Sequence, residues 1–252
     1  MKKISVAIAA YNEEENLDRC LASVEDWTDE LIIVDGGSTD KTLEVARRYG
    51  AKIIQTDNPA IFHINKQKAV DACIGEWVLQ LDTDEVVSSE LRREITQTIS
   101  SKSSRNGYFI PRKNYLLNHW LRKGGQYPDY VIRLFRRGKG KFPCKSVHEQ
   151  IEIDGDVGHL RSPLLHYSYR TLAEYWKKSD AYTSLTAAEM IKDKIPKTIT
   201  SWIRYEWITP TWKFLSLFIR HKGFADGIYG LLFAFFSALH YPIAYKKYVN
   251  MK

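Results

Sequence analysis

Four short apolar runs, 4–10, 30–34, 52–55 and 77–81, alternate with segments whose apolar residues recur at helical spacing. Leu17, Leu21 and Val24 mark one stripe of a helix over 14–26. Ser38 or Thr39 is placed to cap a second helix running to Tyr49, with Gly50 behind it as the residue that ends it. Further helices are expected over 64–74, closed by Gly75, and over 88–99. Strands alternating with helices imply right-handed crossovers and a mainly parallel sheet flanked by helices, an α/β fold. Three of the runs end in polar clusters: Ala10 leads into Tyr11-Asn12-Glu13, the second run into Asp35-Gly36-Gly37, and the fourth into Asp82-Thr83-Asp84. In open α/β sheets ligands bind beyond the carboxyl ends of the strands. The three clusters are therefore expected around one crevice of the kind that holds a nucleotide.

The length, 252 residues with 44% apolar, suffices for a real core and excludes a disordered or disulfide-stapled chain. Cys20, Cys73 and Cys144 are odd in number and lack metal spacing, which reads as reduced thiols of a cytoplasmic protein. The first apolar run stops after seven residues, too soon for a signal peptide. Charge is uneven. Residues 1–100 carry 11 Lys and Arg against 19 Asp and Glu, residues 101–145 carry 12 against one, and 161–252 carry 14 against 6. Basic stretches suit nucleic acid, an anionic membrane or a phosphorylated substrate. No nucleic-acid-binding motif accompanies 101–145, so no nucleic-acid partner is expected.

Beyond Asn106 the alternation weakens. Strands at 108–111 and 130–135 are expected as antiparallel or mixed additions to the sheet, followed by a long helix over 169–190. After Pro196 come Trp202, Tyr205, Trp207, Trp212, Phe214 and Phe218, and then 227–245, which has no Asp, Glu, Lys or Arg. That segment is near the ~20 residues needed to span a bilayer, but its glycines, His240 and Pro242 favour an interfacial or re-entrant hairpin. The competing explanation is an aromatic core packed on the preceding domain. The expected division is 1–168, in halves 1–100 and 101–168, and a helical, membrane-associating 169–252.

Asp82 and Asp84 offer hard oxygen ligands for Mg²⁺ or Mn²⁺ shared with substrate phosphates, with Glu85 in support. Asp35 and Gly36 suit close contact with a base or ribose. Asn12 also reads as a helix cap with Glu13 in the first turn. Lys66, more than Lys68, is placed to meet a diphosphate. Glu149 and Asp129 are candidate general bases. His166 is either a buried polar histidine or a third metal ligand.

Three stretches, Ser5-Val6-Ala7-Ile8 to Glu14, Val34-Asp35-Gly36-Gly37-Ser38-Thr39-Asp40-Lys41-Thr42, and Gly75-Glu76-Trp77 to Glu85, resemble glycosyltransferase family 2 in order and spacing. Tyr127-Pro128-Asp129-Tyr130, Arg133-Leu134-Phe135-Arg136, Val147-His148-Glu149, Leu165-His166-Tyr167 and Gly223-Phe224-Ala225-Asp226-Gly227 resemble the branch containing lipopolysaccharide core β-1,4-glucosyltransferases of the WaaE type. The resemblance implies a GT-A fold, a nucleotide-diphosphate sugar donor such as a UDP-sugar, a divalent metal, and inversion at the anomeric carbon. It also implies a lipid-linked or envelope glycan as acceptor, and a cytoplasmic enzyme on the inner face of an anionic membrane. Donor contacts fall on Ala10, Tyr11, Asn12, Glu13, Asp35, Gly36, Lys66, Asp82 and Thr83, and metal contacts on Asp84, Asp82 and His166. The chain departs from the family at Asp35-Gly36, where Asp-Asp or Asp-Asn is common, and at Lys66-Gln67. No Glu-Asp pair stands in the second half of the chain, which makes Glu149 the candidate base by position. The alternatives are a polyprenyl-phosphate sugar synthase, whose phosphate nucleophile needs no base, and a non-catalytic membrane-docking protein with a relic donor site. The oligomeric state is left open.

Overall fold

The computed structural model describes residues 3–59, 61–101, 104–144 and 150–251. Strand β1 (Ile4–Ala10) runs parallel to β2 (Glu30–Asp35) on one side and to β4 (Trp77–Leu81) on the other, and β2 runs parallel to β3 (Lys52–Gln55). The registers Ala10↔Asp35 and Ile8↔Leu81 bring the carboxyl ends of these strands to one edge of the sheet. The chain winds outward from β1 through β2 to β3 and then returns to place β4 on β1's other flank. The β1/β4 junction is thus a topological switch point, where crevices form in open sheets.

Beyond β4 the sheet becomes mixed. Its order is β3-β2-β1-β4-β8-β6-β12-β5, where β5 is Glu85–Val87, β6 Gly107–Leu116, β8 Asp129–Arg136 and β12 Leu164–Tyr169. Strand β8 runs antiparallel to β4, as expected, and β12 antiparallel to β5. Short strands β7 (His119–Trp120) and β11 (Val157–His159) flank β6, while β9 (Gly140–Lys141) and β10 (Glu152–Ile153) form a separate ribbon.

Helices α1 (Glu14–Ala22), α2 (Thr42–Arg48) and α4 (Ser89–Ser100) cover one sheet face, burying Leu17, Leu21, Val45, Leu91 and Ile95 against Ile4, Ile8, Leu79 and Leu81. Helix α3 (His63–Asp71) covers the other with Ala69 and Val70, beside Phe135 and Phe142. Helix α1 is shorter than its apolar stripe because Ser23 and Val24 tighten onto Cys20 and Leu21. Gly50, at φ +64, ends α2: its amide bonds to Arg47 and that of Ala51 to Ala46, satisfying carbonyls the helix leaves open. The α4 cap is Ser88, whose hydroxyl accepts from the Leu91 amide at 3.2 Å.

The chain divides into two compact units. One comprises 1–112 and 130–166, the other 113–129 with 167–252. The second unit is helical: α5 (Leu172–Lys192), then a helical run over 199–220, then a 3₁₀ turn (Gly223–Asp226) and α8 (Gly227–Asn250). The run consists of α6 (Ile199–Ile203) and α7 (Thr209–Leu215), each followed by a wide π-type turn, Arg204–Ile208 and Ser216–Arg220. Thr171 caps α5, and Glu174 reaches back to the Arg170 amide at 2.8 Å. Ala187, Met190, Ala244, Tyr245 and Tyr248 form the core between α5 and α8. A Cβ at Gly230 would meet the Gly223 carbonyl oxygen at 1.8 Å, so α8 lies directly on the preceding turn.

Candidate active site

The loops after β1 and β2 are knitted together by hydrogen bonds. Asn12 adopts φ +53, a left-handed conformation that Asn tolerates. Its amide donates to the Ser38 hydroxyl at 2.9 Å and its side-chain oxygen accepts from the Thr39 amide at 2.8 Å. The Glu13 amide donates to the Thr42 hydroxyl at 2.9 Å, and the Gly36 amide to the Ala10 carbonyl at 2.9 Å. Asn12 is therefore a crosslink between loops, not the cap of α1: Glu13 holds that position, its carboxylate accepting from the Asn16 side-chain amide at 2.6 Å. Ser38 and Thr39 likewise serve the crosslink, and Asp40 accepts from the Thr42 amide at the start of α2. Tyr11 stands exposed on this rim.

Asp35 is wholly buried at the end of β2. One carboxylate oxygen accepts from the amides of Gly37 and Ser38, both at 3.0 Å, while the other has no donor among the described residues. A buried acceptor left unmatched costs free energy unless a ligand supplies the donor. Gly36 has little room beside it, since a Cβ there would come within 3.2 Å of Asn58.

At the end of β4 the charges are densest. Asp82 pairs with Lys66 and, at 2.6 Å, with Arg133. Burial alone would raise the Asp82 pKa, but Arg133 and Lys66 outweigh it and hold the carboxyl well below the ordinary value. Arg133 is buried on β8, where it also binds Glu85 at 2.8 Å and Gln80. Its own pKa is driven upward: burial opposes the charge, but the two carboxylates outweigh it. Glu85, wholly buried, accepts from the Asp82 amide at 2.9 Å and meets Arg112 at 3.4 Å. Lys66 is nearly enclosed on α3, 4.9 Å over the Phe62 ring, whereas Lys68 turns away to Thr56. Beneath the loop the buried Cys20 thiol lies 3.6 Å from the Asp82 carbonyl, and burial raises its pKa well above the usual thiol value.

The pairing of β12 with β5 sets His166 opposite Glu85, next to the aspartate loop. His166 Nε2 lies 3.5 Å from Asp84 Oδ1, with both side chains partly buried; Thr83 between the aspartates is buried. Among the described residues no group of three or more His, Cys, Asp and Glu is gathered as a metal site. Asp82 spends its oxygens on Lys66 and Arg133, which leaves Asp84 and His166 as a carboxylate–imidazole pair.

Of the sequence-predicted residues, the first unit brings together Ala10, Asn12, Glu13, Asp35 and Gly36 at one rim, and Lys66, Asp82, Asp84 and His166 around the aspartate loop. Asp129 opens β8 in the second unit, its carboxylate accepting from the Asn114 amide group at 3.1 Å. Glu149 lies outside the described residues. Sequence reasoning assigned no role to Arg133, Arg112 or Gln80. The available signal was an arginine inside the apolar run 131–135, since a charge buried in a central strand has to be paired.

The model of glycosyl transferase family 2 matches residues 5–150. A lipopolysaccharide core biosynthesis glycosyltransferase, LpsC, of Rhizobium meliloti is 30% identical, covering 93% of this chain and 90% of the relative. An uncharacterized glycosyltransferase of Rickettsia typhi is 29% identical, covering 93% and 84%. Among solved structures, S. aureus TarS residues 1–349 superpose with a TM-score of 0.51 at 15% identity, covering 97% of this chain and 91% of that one, a likeness of fold that includes the GT-A sheet. With its strand order, its three loops on one edge and these relatives, the chain belongs to glycosyltransferase family 2.

Proposed function

We propose that the chain is an inverting glycosyltransferase that moves a sugar from a UDP-sugar to a hydroxyl of a lipid-linked or cell-envelope glycan, such as a lipopolysaccharide core. The observation that carries this reading is the division of labour in the aspartate loop. Asp82 is locked by Lys66 and Arg133, while Asp84 stands with His166 at 3.5 Å beyond the carboxyl end of β4. The unmatched oxygen of Asp35 supports a nucleotide at the same sheet edge, because it suits a donor such as a base N–H. The TarS fold neighbour has been solved with UDP-GlcNAc, and the LpsC relative supports the acceptor class.

Asp84 and His166 would hold a divalent cation, with the donor's phosphates completing its shell. An imidazole beside a carboxylate suits Mn²⁺ better than Mg²⁺. Such an ion neutralises charge on a departing diphosphate. Lys66 adds a fixed positive charge beside the same loop, and Arg133 holds that loop in shape. Asp35 and the crosslinked rim seat the nucleoside. A carboxylate, Glu149 by position or Asp129 in its place, takes the proton from the acceptor hydroxyl. The hydroxyl oxygen bonds to the anomeric carbon as the bond to the diphosphate oxygen breaks on the opposite face. One base and one leaving group then give inversion without a sugar–enzyme bond, unlike a two-carboxylate retaining glycosidase.

The test is donor binding read by thermal shift. UDP with Mn²⁺ should raise the melting temperature, while EDTA or Asp84→Ala should remove the shift and leave the unliganded melting temperature unchanged. Transfer from a UDP-sugar should be lost with it. A full shift and full turnover by Asp84→Ala without metal would overturn the assignment.

A further inference from the structure

The helical run 199–220 wears its apolar residues outward. Ile199, Ile203, Trp207, Trp212, Leu215 and Ile219 are all exposed, and successive members are four, four, five, three and four residues apart. A regular α-helix, at about 3.6 residues per turn, would carry a spacing of four slowly around its axis. The two π-type turns, Arg204–Ile208 and Ser216–Arg220, each take in more residues per turn and hold the stripe in phase. Trp202 and Ile208 widen the stripe. After the 221–222 turn a second exposed stripe follows, Phe224, Ile228, Leu231 and Phe235, at spacings of four, three and four. Inward the helices bury small groups such as Ser201, Gly230, Ala234 and Ala238 together with Leu217, Phe236 and Tyr245, so apolar residues occupy the outer face as well as the inner one. A water-facing helix instead keeps its outer face polar.

A basic collar stands at the hairpin turn. Asp226 is buried and accepts from the backbone amides of Arg122 at 3.2 Å and Lys123 at 2.8 Å. The His221 carbonyl accepts from the Gly124 amide at 2.9 Å. These bonds tie the β7 hairpin to the turn, so that Arg122, Lys123, Arg220 and Lys222, all exposed, project from one neighbourhood. From 196 to 245 the acids are Glu206, half-buried, and Asp226, already committed.

We propose that this face is the docking surface for an anionic lipid bilayer, with the apolar stripes in the headgroup–acyl boundary and the collar on lipid phosphates. The inference deepens the acceptor reading above and rests on it for its purpose, not for its geometry. Exposed tryptophans with arginines and lysines are the composition of such a boundary. The helix Gly223–Asn250 is long and apolar enough to cross a membrane by length and composition. However, Ala234, Phe236, Ala244 and Tyr245 are buried, and the Tyr175 hydroxyl and the Thr186–His240 hydrogen bond hold α8 to α5. A span would have to break that packing. A deep re-entrant hairpin would drag the collar at its tip into hydrocarbon. A second copy of the chain would set the same exposed cations against one another.

The experiment is flotation of the full chain with vesicles of phosphatidylcholine alone and of phosphatidylcholine with about one-third phosphatidylglycerol. Binding is expected to the anionic vesicles, with tryptophan fluorescence quenched by brominated lipid. The pairs Trp207→Ser with Trp212→Ser, and Arg220→Glu with Lys222→Glu, should each weaken partition about tenfold or more. Circular dichroism and the UDP-dependent thermal shift should be unchanged. No flotation of the wild type would overturn the proposal. So would a dimer in solution that the tryptophan pair dissociates, or retention only released by detergent with 227–245 shielded from protease. Loss of the UDP shift in the wild type would instead defeat the glycosyltransferase reading and leave vesicle binding standing.

Discussion

Asp82 and Asp84 are chemically the same residue two positions apart, and their surroundings give them different work. Asp82 is neutralised by Lys66 and Arg133 and shapes the loop; Asp84 faces His166. Removing Arg133, the shared partner of Asp82 and Glu85, leaves the partly exposed Asp82 to Lys66 and the wholly buried Glu85 to Arg112 at 3.4 Å. Arg133→Met is therefore expected to cost about 3–5 kcal/mol, read as a lower urea midpoint at neutral pH, with Arg133→Lys losing less. The sign of its pH dependence follows from Asp82. A carboxyl held below its unfolded pKa contributes stability above that unfolded value, and the contribution is lost as pH falls through the folded pKa. Weakening the pair raises the folded pKa, so acid unfolding of Arg133→Met should begin at higher pH than in the wild type. Overlapping acid-unfolding curves would show that Arg133 does not hold Asp82. For the base, Glu149→Gln should lower kcat about 10²–10⁴-fold with little change in donor affinity. Should Asp129→Asn show that pattern and Glu149→Gln not, the base is Asp129.

The elements of the donor half were legible because period and punctuation agree there. The boundaries of β1, β3 and β4 coincide with the apolar runs, and Gly50 ends its helix as glycine placement requires. Strands β5 and β12 were not legible. Glu85–Val87 is only three residues long, and it becomes a strand through its partner Leu164–Tyr169 from late in the chain. That long-range pairing is also what carries His166 to Asp84, so the histidine's position could not be read from local pattern. Asn12 and Ser38 misled for a related reason: residues with good capping chemistry were recruited across loops instead. In the helical unit, the close approach of Gly230 to Gly223 makes an element-scale prediction. Gly230→Val leaves no room on the Gly223 carbonyl. It should open the hairpin, seen as faster tryptic cleavage at Arg220 and Lys222, while UDP-dependent thermal shift persists. Unchanged cleavage would mean that the turn is held by other contacts.

At the scale of the whole molecule, charge separates along the chain: acids prevail in residues 1–100 and bases in 161–252. If the basic collar brings the enzyme to a lipid-borne acceptor, two activities of one protein should differ in their response to salt. Exposed cations act on an anionic surface over about one Debye length, ~10 Å at 0.1 M salt and less above it. Arg133 and Glu85 are buried, and their cluster with the partly exposed Asp82 is screened far less. Raising ionic strength should therefore lower kcat/KM for an acceptor embedded in anionic vesicles, and leave transfer to a water-soluble fragment of that acceptor nearly constant. The charge-reversed pair Arg220→Glu with Lys222→Glu should reproduce the high-salt value on vesicles at low salt and have no effect on the soluble fragment. Equal salt dependence for the two acceptors would place the electrostatics in the substrate site itself, and the collar would then have no part in bringing the acceptor to the enzyme.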